Sequence, residues 1–160
     1  MKLIVAVDRN WAIGKDGDQL AYLSTDLRRF KEITMGHPIL LGRKTLATFP
    51  GGRPLKGRRN LILSRTPGFQ VEGAEAFGDL ESVQAAAPAD TVVVGGGSVY
   101  QALLPWCDTA YVTRMEAEFP ADTWFPNLDQ DPDWTVLEQS DPMEEKGISF
   151  RYVTYARRGR

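Results

Sequence analysis

The chain has one cysteine and one histidine among its 160 residues, and that scarcity removes several chemistries at once. A lone Cys107 excludes an intramolecular disulfide framework and fits a reducing cytoplasm, the expected location. With no His or Asn motif beside it, its expected role is packing. His37 precedes Pro38 in a loop-like stretch without a partner motif, so no Cys/His cluster points to zinc and no metal site is expected. The G-x-S-x-G of serine hydrolases is missing as well. Strong charge of either sign is absent: a net charge of -2 gives no general reason to expect nucleic acid or membrane partners. Long apolar runs are absent too. The opening run, LIVAV at 3–7, is closed by Asp8 and Arg9, too short for a signal-peptide core or a membrane span. No repeat, linker or low-complexity tract divides the chain. Its 42% apolar and 25% charged residues are those of an ordinary globular protein. One domain over residues 1–160 is expected, burying about two-thirds of its unfolded surface.

What is present is a series of short, β-branched apolar runs: LIVAV at 3–7, PILLG at 38–42, NLILS at 60–64 and TVVVGG at 91–96. Runs without polar alternation belong to strands covered on both faces, as in a parallel sheet flanked by helices. Helical segments fall between them. Ser24 is placed to cap a helix carrying Leu27, Phe30 and Ile33 inward, with Gly36 as its stop. Further helices fit RKTLATF after Gly42, DLESVQAAA from Asp79, and GGSVYQALLPW directly after the strand at 91–95. Beyond Cys107, TAYVTRMEAEF, WTVLEQS and ISFRYVTYARR alternate more and have no helix between them, which suggests an antiparallel edge. The predicted fold is α/β: a three-layer sandwich with a central, mostly parallel twisted sheet, an antiparallel C-terminal strand, and helices on both faces.

Three places carry possible chemistry. In TVVVGGGSVYQALL, a buried strand meets Gly95, Gly96 and Gly97 and then a helix start at Ser98. Such glycines let backbone approach a ligand, and free N–H groups favour an anion such as pyrophosphate. A tight strand-to-helix turn without a ligand explains the triplet equally well, and the spacing is not the dinucleotide fingerprint. In ILLGRKTLATF, Arg43 and Lys44 with Thr45 open a helix whose dipole prefers acids there. An anionic ligand, met also by Ser64 and Arg65 at the end of LILSR, would resolve that conflict; solvated surface cations are the alternative, more readily for Lys44 than for Arg43. Ligands of open α/β sheets sit outside the carboxyl ends of the strands. The third place is Asp26. It reads either as a first-turn acid complementing the helix dipole or as a carboxylate in an apolar pocket, since Leu27 and Phe30 are neighbours on that helix. In the second case it needs a partner, and a ligand with an amidine-like pair of donors supplies one.

Seven blocks, VAVDRNWAIGKDG, DLRRFKEIT, ILLGRKT, GRPLKGRRNLILSR, VVVGGGSVYQALLP, YVTRMEAEFPADTWFP and FRYVTYARR, run in this order along essentially the whole chain. In them the chain resembles the bacterial dihydrofolate reductase family. The resemblance implies reduction of 7,8-dihydrofolate to tetrahydrofolate with NADPH, by hydride transfer to C6 and protonation at N5. Asp26 matches the acid that binds the pterin N3 and 2-amino group, and Thr113 its hydroxyl partner. Val5, Ala6, Leu27, Phe30, Phe49 and Leu55 match the apolar wall around the substrate, and Arg58 the arginine that grips its α-carboxylate. Ala6, Ile13 and Gly14 match the nicotinamide side. Arg43, Lys44, Thr45, Ser64 and Arg65 match the adenosine-phosphate site, with Arg43 and Arg65 suited to a 2′-phosphate. Val94, Gly95, Gly96, Gly97, Ser98, Val99 and Tyr100 match the loop and helix start beneath the pyrophosphate and nicotinamide. Dihydrofolate and antifolate inhibitors are the implied ligands, and a monomer is expected. One departure stands beside the acid: Gln19, Leu20 and Ala21 occupy the places of the family's usual L-P-W or M-P-W, which implies a roomier pocket and altered antifolate sensitivity.

Overall fold

Each unalternated apolar run becomes an inner strand of one sheet. A computed structural model describes residues 1–159. In chain order its elements are β1 (Lys2–Val7), β2 (Ala12–Lys15), β3 (Asp18–Gln19), α1 (Ser24–Thr34), β4 (Ile39–Gly42), α2 (Arg43–Leu46), β5 (Asn60–Leu63), β6 (Ala74–Phe77), α3 (Leu80–Ala86), β7 (Val92–Gly95), α4 (Gly97–Leu103), β8 (Thr109–Met115), β9 (Thr123–Trp124), β10 (Trp134–Gln139), β11 (Met143–Glu145) and β12 (Ile148–Arg157). The main sheet has the order β10-β12-β8-β1-β7-β4-β5-β6, with β11 also paired to β12. From β8 to β6 every pairing is parallel; β12 runs antiparallel against β8, β10 and β11. A small second sheet, β3-β2-β9, stands beside it.

Strand alternation divides the core between two faces. Leu3, Val5, Val7, Leu40, Leu61, Val93 and Val112 pack on one side with Val83 of α3 and Val99, Tyr100 and Leu103 of α4. Ile39, Leu41 and Ile62 turn to the other side, against Leu46 of α2 and the loop residues Phe49 and Leu55. Helices therefore cover both faces, as the runs require. The segment at 109–115, expected within an antiparallel edge, lies instead near the middle of the sheet, parallel to β1 and antiparallel to β12. Its alternation marks two differently used faces: Val112 enters the core, whereas Thr113 points to α1.

The start of α1 also differs from the local expectation. Leu23 is the capping residue and no side chain of its own neighbourhood caps the helix. Leu27 is 45% exposed rather than inward, because its face borders an open cleft and not the core. Asp79, by contrast, caps α3 as its sequence position suggests, accepting from the Ser82 N–H at 2.7 Å. Among the described residues no helix is long and apolar enough to cross a membrane, and no group of His, Cys, Asp and Glu could hold a metal ion.

Candidate active site

A cleft of about 1370 Å³ opens along the carboxyl ends of β1, β4, β5 and β7. This is where an open α/β sheet presents strand-end residues to a ligand. Its floor is Ile4, Val5 and Ala6 from β1 and Val94 from β7; Leu27 and Phe30 of α1 and Phe49 and Leu55 form an apolar wall.

Asp26 is the acid set in that wall. It lies in the first turn of α1, partly buried, and the Thr113 hydroxyl of β8 donates to its Oδ1 at 2.6 Å. Thr113 is itself buried, so the bond joins helix to sheet across the cleft floor. Burial raises the Asp26 pKa above its ordinary value of 3.8; Thr113 and the Arg29 guanidinium pull it down, and Glu145 pushes it up. Burial wins, so the ligand-free carboxylate carries an electrostatic penalty that paired N–H donors would relieve.

The opposite half of the cleft is polar and cationic. Gly42, Arg43, Lys44 and Thr45 follow β4, Ser64 and Arg65 follow β5, and Gly95 to Tyr100 follow β7; all line the same space. Arg43, Lys44 and Arg65 are exposed and make no salt bridge among the described residues. The glycine triplet forms a close-approach surface. Gly95 has φ +126, a region where other residues are strained, and the Gly95–Gly96 peptide is cis. A Cβ on Gly96 would stand 3.1 Å from Thr45 Oγ1, and one on Gly97 only 2.6 Å from Thr123 Cγ2. Tyr100 is fixed beneath the triplet by donating its hydroxyl to the Ile4 carbonyl at 2.6 Å. Burial drives that phenol's pKa far upward, so it stays a neutral donor. Three unpaired cations and a glycine surface are what a phosphorylated dinucleotide requires, with the Tyr100 hydroxyl engaged by Ile4 beneath them, and the residues fit NADPH.

Two residues placed in the site by resemblance lie outside the lining. Gly14 pairs within the small sheet, its carbonyl accepting from the Asp122 N–H at 3.0 Å. Arg58 is partly buried beside the cleft, donating to the Lys56 carbonyl at 2.8 and 3.0 Å and to Thr34 Oγ1 at 3.2 Å. Other lining residues had no signal in the sequence, among them Ile4, Thr48, Met115 and Thr123. Before α1, Leu20, Ala21 and Tyr22 also line the cleft. Tyr22 donates its hydroxyl to Asp18, and Lys146 Nζ donates to the Tyr22 carbonyl at 2.7 Å.

Comparison with known proteins agrees with this geometry. The family model for dihydrofolate reductase matches residues 1–157. The type 3 dihydrofolate reductase of Salmonella typhimurium is 37% identical, over 98% of this chain and 98% of its own length. The Mycobacterium leprae dihydrofolate reductase is 39% identical, over 97% of this chain and 96% of its own. The solved structure of Enterococcus faecalis dihydrofolate reductase complexed with NADP(H) and RAB-propyl superposes with a TM-score of 0.86 at 33% identity, covering 98% of this chain and 95% of that one. Sequence and fold agree over nearly the full length: the chain belongs to the dihydrofolate reductase family.

Proposed function

We propose that the cleft reduces 7,8-dihydrofolate to 5,6,7,8-tetrahydrofolate with NADPH, in support of one-carbon and thymidylate metabolism. The observation that carries the reading is the Asp26–Thr113 pair, a carboxylate held at 2.6 Å by one hydroxyl in an otherwise apolar wall. Asp26 accepts from the pterin N3 and 2-amino groups, a bidentate pairing that relieves its desolvation. Thr113 holds the carboxylate in the orientation that pairing needs. The apolar wall excludes bulk water from the ring, which strengthens every electrostatic contact at its edge. NADPH, when bound, supplies the hydride received at C6. Asp26 sits at the far end of the pterin from N5, so water brings the proton there while the carboxylate polarises the ring.

Arg43, Lys44 and Arg65 receive the phosphates, and Gly95 to Ser98 let the cofactor lie close against the β7 turn. Arg58 reaches the substrate's α-carboxylate by exchanging one of its loop carbonyl bonds. The protein works as a single-domain monomer in the cytoplasm, without nucleic acid or membrane partners. If Arg65 grips a 2′-phosphate, Arg65→Ala lowers the preference for NADPH over NADH by about ten-fold or more, the worth of one charge-assisted contact. Steady-state KM values for the two cofactors measure it; an unchanged ratio would remove Arg65 from that role.

Ala21 leaves the cleft beside Asp26 without an indole. A 2,4-diaminopyrimidine antifolate therefore inhibits Ala21→Trp about ten-fold more tightly than the native chain, through added apolar contact. Equal inhibition constants would show that the departure at Gln19–Ala21 has no bearing on antifolates.

A further inference from the structure

We propose that Glu145, from the far end of the chain, is a positioning residue for Asp26: it occupies the donors that open α1 and thereby reserves Asp26 for the ligand. The proposal rests on the reading of Asp26 as the pterin anchor. Two carboxylates meet at one helix start, and they are treated differently. Glu145 Oε2 accepts from the Ser24 N–H at 2.6 Å and the Ser24 hydroxyl at 3.0 Å. Its Oε1 accepts from the Thr25 N–H at 3.1 Å and the Thr25 hydroxyl at 2.8 Å. Both oxygens are filled by residues immediately before Asp26. The positive end of the helix dipole and its unsatisfied N–H groups are what a first-turn acid ordinarily uses. Here a side chain 121 residues away takes the Ser24 and Thr25 N–H groups, and among the described residues the one side-chain donor left to Asp26 is Thr113.

Glu145 is itself firmly placed. It ends β11, opposite Ile148 of β12, and the connecting turn is Lys146–Gly147 with φ of +54 and +75. Two consecutive positive φ values are the geometry of a tight two-residue hairpin. From that same turn Lys146 Nζ holds the Tyr22 carbonyl at 2.7 Å. The hairpin thus grips the chain on both sides of Leu23, which is buried against Met115 and Phe150. Helix entry and the acid beside it are fixed from the sheet rather than by a local cap.

The electrostatics follow from the same geometry. Hydrogen bonds from the Thr25 hydroxyl and then its N–H draw Glu145 down to about 2, while Asp26 is raised, by burial first and by Glu145 among the rest. The other titratable groups facing Asp26 are Arg29 on its own helix, Tyr100 of α4 and Tyr152 of β12. A change at Glu145 leaves all three in place. Environments that drive two neighbouring carboxyl groups apart assign them different roles.

The test is a ¹³C NMR titration of the Asp26 carboxyl carbon in the ligand-free protein, native and with Glu145→Gln or Glu145→Ala, beside KM for dihydrofolate with saturating NADPH. The expected result is a lower Asp26 midpoint in both variants. KM rises about five-fold in Glu145→Ala, the factor that a lost helix cap is worth. A lowered melting temperature with the Asp26 midpoint and KM both unchanged would overturn the proposal, leaving Glu145 a structural cap only. If neither variant folds, Ser24→Ala and Thr25→Ala carry the same readouts: a raised KM with native circular dichroism supports the proposal and an unchanged KM overturns it. Failure of the pterin reading is separable, because the native chain would then show no turnover of dihydrofolate whatever the titration gives.

Discussion

Asp26→Asn lowers kcat/KM for dihydrofolate by about 10²-fold or more, the range for removing a group that works on a proton in the reacting system, and at the same time makes the ligand-free protein more stable. The two effects have one cause. Asp26 is raised above its ordinary value because burial penalises its charged form more than Thr113 and Arg29 favour it. For an acid raised in the folded state, the sign runs opposite to that of a paired surface carboxylate. The folded protein is penalised as pH rises from the ordinary value of 3.8 through the higher folded value, and the deficit is constant above both. Asparagine keeps the shape and an acceptor for the Thr113 hydroxyl but carries no charge. The melting temperature of the variant therefore exceeds that of the native chain at pH 7, and the difference shrinks as pH falls toward the ordinary carboxylate range. Thermal melts across pH check the sign; a variant less stable than native at pH 7 would mean that the carboxylate is satisfied without ligand.

Gly97→Ala is expected to damage both stability and cofactor binding. The new methyl would lie 2.6 Å from Thr123 Cγ2 and 3.9 Å from Ile13 Cδ1. Thr123 is β-branched and stiff, and it pairs with Gly14 across the small sheet, so the clash moves β9 and β2 together. Overpacking of this kind costs about 1–3 kcal/mol, and the displaced strand carries Ile13 into the space read as the nicotinamide side. NADPH affinity falls about ten-fold for each 1.4 kcal/mol of that misfit felt by the bound cofactor. Gly78 is the control, since it lines the same cleft and a Cβ there meets nothing within 4 Å. Fluorescence titration with NADPH and thermal melts separate the two variants; equal behaviour would show that the 97–123 contact gives way freely.

The inner sheet was legible in the sequence because its strands are buried on both faces and so lack polar alternation. LIVAV, PILLG, NLILS and TVVVGG all became strands in the parallel part. Elements of two to four residues with exposed positions, such as β3, β6, β9 and β11, carry too few residues for a period to register. The cleft was legible in part for a related reason. Arg43 and Lys44 opening a helix violate a local rule, and the structure sets them with Arg65 around one space. Helical spacing at Leu27 reports an apolar face without saying whether core or cleft lies against it, and the cap expected at Ser24 comes instead from another part of the chain. The Ile4 carbonyl under Tyr100 and the Glu145 carboxylate under α1 are contacts across 96 and 121 residues. No local pattern contains them.

The most direct measurement is the loss of NADPH absorbance with and without added dihydrofolate, run on the native chain and on Asp26→Asn at neutral pH. Oxidation of NADPH is expected to depend on dihydrofolate and to collapse in the variant. Oxidation independent of dihydrofolate, or an Asp26→Asn protein as fast as the native one, would contradict it.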